Sequence, residues 1–136
     1  MREIKFRAWN TNRKRMHTAE EMGEDQLTLS PDGRGFINVH GTSTKLSQYL
    51  PHLLPMQFTG LCDKNSKEIW EGDIIIHDNH IRSAGHFKID WDKYKAGWVL
   101  LGVGKEKAMW LKDWSADFVE IIGNIHENPE LREKAT

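Results

Sequence analysis

The chain of 136 residues has one cysteine, Cys62. A lone thiol forms no intrachain disulfide and no cysteine-based zinc cluster. No histidine near it in sequence offers a local base, so a catalytic thiol is not expected there. Charge of one sign is also lacking. The net charge is −1, which argues against a wholesale binder of polyanions and leaves room only for a local basic patch. No apolar run approaches the ~20 residues that span a bilayer. Met1-Arg2-Glu3-Ile4 opens with charge, and no apolar stretch of signal-peptide length follows, so a cytoplasmic protein is expected. No nucleophile–base pairing, paired catalytic carboxylates or cofactor fingerprint stands out. Ser43 and Thr44 near His40 and His52 make no triad by proximity in sequence alone. The expectation is therefore a protein that is not an enzyme and carries no cofactor.

What is present is short-period alternation. Ile4, Phe6 and Ala8 alternate with Lys5 and Arg7, which reads as a half-buried strand. Asn10-Thr11-Asn12 turns the chain, and Arg13-Lys14-Arg15-Met16 reads as the returning strand. Residues 18 to 35 are acidic and contain glycine, with Ser30-Pro31-Asp32-Gly33 a turn signal, so a mobile loop is expected there. Residues 35 to 40 read as another strand. Leu46, Tyr49, Leu50 and Leu53 have helix-like spacing, but Pro51 interrupts it, which predicts a short helical turn ending near Leu50. Phe87, Ile89 and Trp91 alternate with Lys88, Asp90 and Asp92, and the chain then turns through residues 93 to 97. Strands are predicted over 98–101, 109–111 and 118–125. Many short strands joined by Gly, Asn and Asp turns predict a mainly β protein with little helix, built as a small barrel.

The densest pattern runs from Met56 to Ile75. Phe58 and Leu61 flank Gly60, a position suited to positive φ or close approach. Asp63, Lys64, Asn65 and Ser66 suit a hairpin turn. Glu68, Ile69 and Trp70 re-enter extended structure, Glu71-Gly72-Asp73 turns again, and Ile74-Ile75-Ile76 is a β-branched run that fits a buried strand. This stretch resembles the core signature of the YopX family of phage and prophage proteins. Ile4-Lys5-Phe6-Arg7-Ala8-Trp9 is similar to that family's opening strand. Ile122-Gly123-Asn124-Ile125-His126-Glu127-Asn128-Pro129-Glu130-Leu131 is similar to its closing segment. Ser66 departs from the pattern, since the family usually has Gly there; if φ is positive, serine costs about 1 kcal/mol relative to glycine. The resemblance implies an SH3-like barrel over 56–136 and an N-terminal β-rich subdomain over 1–55. It implies no activity.

Several groups invite a functional reading. Glu68, Glu71 and Asp73 form a carboxylate cluster in sequence, but turn bonding on a solvated hairpin accounts for them without a site. His77, His80 and His86 are the densest set of metal-ligand types, and a folded-back loop would let them hold zinc or nickel. Such loops are polar for other reasons, so no metal is expected. Gly102-Val103-Gly104-Lys105 lacks the spacing of a phosphate loop and reads as a hairpin turn. Trp9, Trp70, Trp91, Trp98, Trp110 and Trp114 are many for this length and suit a core or a subunit interface. The basic N-terminal ribbon makes Arg7, Trp9, Arg13, Lys14 and Arg15 the candidate contacts for a partner. The functional expectation is a non-enzymatic phage or prophage accessory protein that binds a phage or host protein and forms homo-oligomers. The alternative is a nucleic-acid-binding module using that ribbon and exposed aromatics.

Overall fold

The computed structural model describes residues 2–39, 49–77, 86–102, 108–111 and 116–132. The protein is mainly β with little helix, and it divides into two compact units, Ile4–Gln57 and Phe58–Thr136 together with Met1–Glu3.

In the first unit, β1 (Phe6–Asn10) is central. It pairs antiparallel with β2 (Arg15–His17) on one side and with the first half of β5 (Leu53–Cys62) on the other. Ala8 is fully buried and Arg7 lies on the opposite face, but Ile4, expected on the buried face, precedes the strand and is 60% exposed. The return strand starts at Arg15 rather than at Arg13. The Asn10 side chain accepts the backbone N–H groups of Asn12 and Arg13, both at 3.0 Å, and Lys14 takes a left-handed φ of 53°. Those bonds hold Arg13 and Lys14 in the turn.

The acidic stretch after β2, where the sequence suggests a loop, carries a short helix and a two-stranded ribbon. Thr18 caps a short helix, α1 (Ala19–Glu24), by accepting the Glu21 N–H on Oγ1 at 3.1 Å. Glu20 and Glu21 in its first turn complement the helix dipole, and Met22 is its one buried residue. One apolar residue in six leaves no periodicity to detect, but Thr18-x-x-Glu21 has the spacing of a capping box. A ribbon of β3 (Leu27–Leu29) and β4 (Phe36–Asn38) follows. Ala8, Met22, Phe36 and Leu53 form the core of this unit, with Phe6, Leu27, Leu29 and Leu50 packed against them. Most of the predicted helical turn before Leu50 lies outside the described residues. Tyr49 forms an antiparallel bridge to Ile37, and Leu53 already belongs to β5.

In the second unit, the latter half of β5 pairs with β6 (Glu68–Trp70) through an irregular register between Phe58 and Cys62. Gly60, at φ 90°, absorbs the extra residues, and the Thr59 hydroxyl donates to the Ile69 carbonyl at 2.7 Å. A curled antiparallel sheet then follows in the order β10-β9-β8-β7-β11. Its strands are β7 (Asp73–His77), β8 (Phe87–Asp92), β9 (Gly97–Gly102), β10 (Ala108–Trp110) and β11 (Val119–Asn124). Ile69, Ile75, Phe87, Ile89, Leu100, Leu111 and Val119 form the core, with Trp98 and Ile121 against it. Ile74 and Ile75 are both fully buried, as a β-branched central strand requires.

Two nodes fix this unit, one between distant segments and one within the closing turn. Gly72, at φ 84°, donates its N–H to Ile89 at 2.8 Å and accepts from Ile125 at 2.9 Å. Past β11, Asn124 accepts the His126 and Glu127 N–H groups on Oδ1 at 3.0 and 2.8 Å, and the Asn128 side chain accepts the Asn124 N–H at 3.1 Å. A Cβ on Gly123 would collide with that Asn128 carboxamide, so the Gly123-Asn124 pair needs glycine for space.

Candidate partner-binding surface

The β8–β9 hairpin presents the most exposed aromatic side chain of the described residues. Asp92 and Gly97 close its ladder, and residues 93 to 96 form the tip. The Asp92 carboxylate accepts the backbone N–H groups of Tyr94 and Lys95 at 2.9 and 3.0 Å, an Asx-type turn that spends the acid on the backbone. Ala96 takes a left-handed φ of 50°, a strained choice for a residue with a Cβ. Tyr94 is 88% exposed at the tip, with Lys93 Nζ 5.0 Å above its ring. Such a cation–π contact is worth about 0.5–1 kcal/mol at an exposed site.

Two tryptophans face each other at the base of the tip. Trp91 pairs directly with Trp98 across the strands. Their centroids lie 5.1 Å apart at 79°, an edge-to-face contact. Trp98 packs against the core, while Trp91 remains 44% exposed. On the polar face Lys88 Nζ is 3.0 Å from Asp90 Oδ2. A single exposed aromatic is ordinary on a protein surface. Here Trp91 and Tyr94 share one braced hairpin with Lys93 and Lys95. Sequence reading placed Tyr94 in a turn and went no further. An aromatic between two lysines in a tight turn, where Gly, Asn or Asp usually sit, was the available signal.

The basic ribbon is less uniform than its composition suggests. Arg13 and Lys14 are exposed in the turn. Arg15 is held by Glu21, with its Nη1 and Nη2 donating to the carboxylate at 3.3 and 2.8 Å. That pairing raises the Arg15 pKa and lowers that of Glu21. Arg7 is half-buried in β1. Trp9 is only 8% exposed, so its ring packs inside and offers no stacking face. The structure thus brings Arg13, Lys14 and Arg15 to one hairpin end and places Trp9 among the buried residues.

The other candidates do not converge. Among the described residues no three His, Cys, Asp or Glu side chains gather as a metal site would need. His77 lies tilted against Phe118 at 5.8 Å, and the His86 Nδ1 is sheltered without a hydrogen-bond partner among the described residues. His80 lies outside the described residues, as do Val103, Gly104, Lys105, His40, Ser43, Thr44 and Trp114. Cys62 is exposed at the end of β5. Asp73 does serve a turn, its carboxylate accepting the Trp70 N–H at 2.8 Å, but it is 1% exposed rather than solvated. The described chain also has a cleft of about 420 Å³ lined by Glu24, Asp25, Gln26, Leu27 and Asn38, just past α1.

A mainly β chain, its three motif segments sitting in β1, in β5 to β7 and in β11 with its closing turn, defines a family rather than an activity. The YopX protein family matches over residues 5–133, and the chain belongs to it. The chain is similar to the crystal structure of protein EF1440 from Enterococcus faecalis, with 27% identity and a TM-score of 0.63, covering 98% of this chain and 100% of that one. It is also similar to the crystal structure of protein yopX from Bacillus subtilis, with 14% identity and a TM-score of 0.60 over 100% of both chains. No functionally curated protein matches it. Among the described residues no helix is long and apolar enough to cross a membrane.

Proposed function

We propose that the protein is a non-enzymatic interaction module that binds protein and self-associates through the β8–β9 hairpin. The observation that carries this reading is the pair of exposed aromatics, Trp91 and Tyr94, on a hairpin braced by Asp92 and by the Trp91–Trp98 contact. Tryptophan and tyrosine dominate the energetics of protein interfaces, and a pre-ordered tip loses little entropy on docking. The family resemblance supports a phage or prophage accessory role in the cytoplasm, and the five-stranded sheet is read as an SH3-like barrel. Solution mass by light scattering tests the interaction reading. The wild type is expected to be an oligomer, and Tyr94→Ala is expected to dissociate more readily at unchanged thermal stability. A wild type that stays monomeric at the highest workable concentration removes self-association.

A second reading rests on Arg13 and Lys14, which stand exposed in the β1–β2 turn with Arg15 beside them. These cations suit the backbone of a single-stranded nucleic acid, with aromatics elsewhere on the surface for stacking. Binding of a labelled oligonucleotide should weaken with salt, and Arg13→Ala with Lys14→Ala should lower the log–log salt slope by about 1–2. Absence of binding at low salt removes this reading.

A further inference from the structure

Two surfaces on this chain are complementary to each other in charge. One is the tip of the β8–β9 hairpin, where Tyr94 projects 88% exposed between Lys93 and Lys95. The Asp92 carboxylate is turned onto the Tyr94 and Lys95 backbone, so the outward charge of the tip is positive. The other is the cleft past α1. Glu24 and Asp25 supply negative charge, and Leu27, Gln26 and Asn38 complete the lining around a volume of about 420 Å³. That volume falls within the range of pockets that enclose ligands of several rings, which exceeds one tyrosine side chain.

We propose that the Lys93-Tyr94-Lys95 tip of one copy docks in the Glu24–Asp25 cleft of a second copy. The inference rests on the self-association reading above and specifies its geometry. Opposite charge sets orientation and encounter, and the buried phenol ring supplies the anchor. The two surfaces differ, so the contact is heterologous. Copies joined this way form a ring if the rotation closes and a chain if it does not.

Charge reversal tests the pairing. In the tip variant, Lys93→Glu is combined with Lys95→Glu; in the cleft variant, Glu24→Lys is combined with Asp25→Lys. The cleft change places cations at the C-terminus of α1, where the dipole favours them. Circular dichroism and thermal melting confirm that both variants fold. Each alone is expected to lose roughly tenfold or more in self-association. Mixed together, they are expected to assemble again with the two variants alternating, because the mixture offers one native and one charge-reversed tip–cleft pair. A chain carrying all four changes is expected to associate again. Two outcomes overturn the docking. If the wild type is oligomeric and the folded cleft variant is equally so, the contact lies elsewhere and self-association stands. If the wild type is monomeric, self-association and the docking fail together.

Discussion

Asp63 Oδ2 accepts the backbone N–H of Ile121 at 3.0 Å, across 58 residues of chain. Its other oxygen accepts the N–H groups of Asn65 and Lys67, each at 2.9 Å. One side chain thus closes the β5–β6 turn and ties it to β11. The Lys64 N–H, which donates to the Val119 carbonyl at 2.9 Å, makes the same connection. An outer strand otherwise presents unpaired donors and acceptors, so these bonds also protect β11.

Asp63→Ala should therefore be strongly destabilising. It strips three N–H groups of their acceptor at a site where Asp63 is 6% exposed, and about 2–4 kcal/mol is expected from their loss. Burial pushes the Asp63 carboxyl up, but the bonds from Ile121, Lys67 and Asn65 outweigh it and hold the pKa below its ordinary 3.8. A depressed carboxylate binds fewer protons folded than unfolded. Its contribution is whole above 3.8 and is lost as pH falls through the folded value. Urea unfolding of the wild type and Asp63→Asn across that range should show a shallower acid loss in the variant. Equal stability of Asp63→Ala and wild type at neutral pH would contradict the role given to Asp63.

Ser66→Gly should stabilise the protein by about 1 kcal/mol. Ser66 has φ 63° and sits in the turn that Asp63 closes. The turn keeps the positive φ that glycine suits, and serine bears the strain. A midpoint unchanged or lowered in chemical denaturation would show that the serine is unstrained.

His17 should make the protein less stable in mild acid. Its Nε2 lies 3.2 Å from Asn10 Nδ2, and Asn10 Oδ1 is committed to the turn, so the amide presents N–H to the ring. That arrangement suits only an unprotonated Nε2. Arg15 Nη2 lies 3.2 Å from Nδ1 and Glu21 Oε2 lies 3.6 Å from it. Burial first, and then the charges of Arg15 and Arg13, lower the His17 pKa from 6.5 against the pull of Glu21 and Asp25. A base with a lowered folded pKa takes its proton more readily when unfolded. Stability is therefore complete above 6.5 and falls as pH drops toward the folded value, then levels off. His17→Gln, which keeps an acceptor for Asn10, should flatten that slope. Identical slopes in wild type and variant would assign the acid sensitivity to other groups.

Most of the strand positions were legible in sequence because period two is a local signal. Ala8, Ile69, Ile74, Ile75 and Ile89 are all fully buried on strands where the alternation or the β-branched run places them. Ser66 and Gly72 have positive φ at turns that local chemistry marks, and Gly60 has it at the irregular register within β5. Helix α1 was hidden because six residues with one buried side chain show no period, and its cap was the sole trace. The candidate contacts were read from charge and residue type, which say nothing of exposure. Trp9 and Trp91 look alike in sequence, yet one is 8% and the other 44% exposed.

By itself the sequence determined the family, the β character and the turns, because each depends on residues close together in the chain. Only the tertiary structure decided that Asp63 reaches Ile121, that Trp98 is anchored while Trp91 faces outward, and that Arg15 is held by Glu21. Those relationships depend on which strands become neighbours, and pairing is settled by burial and hydrogen bonding summed over the whole unit rather than by any one segment.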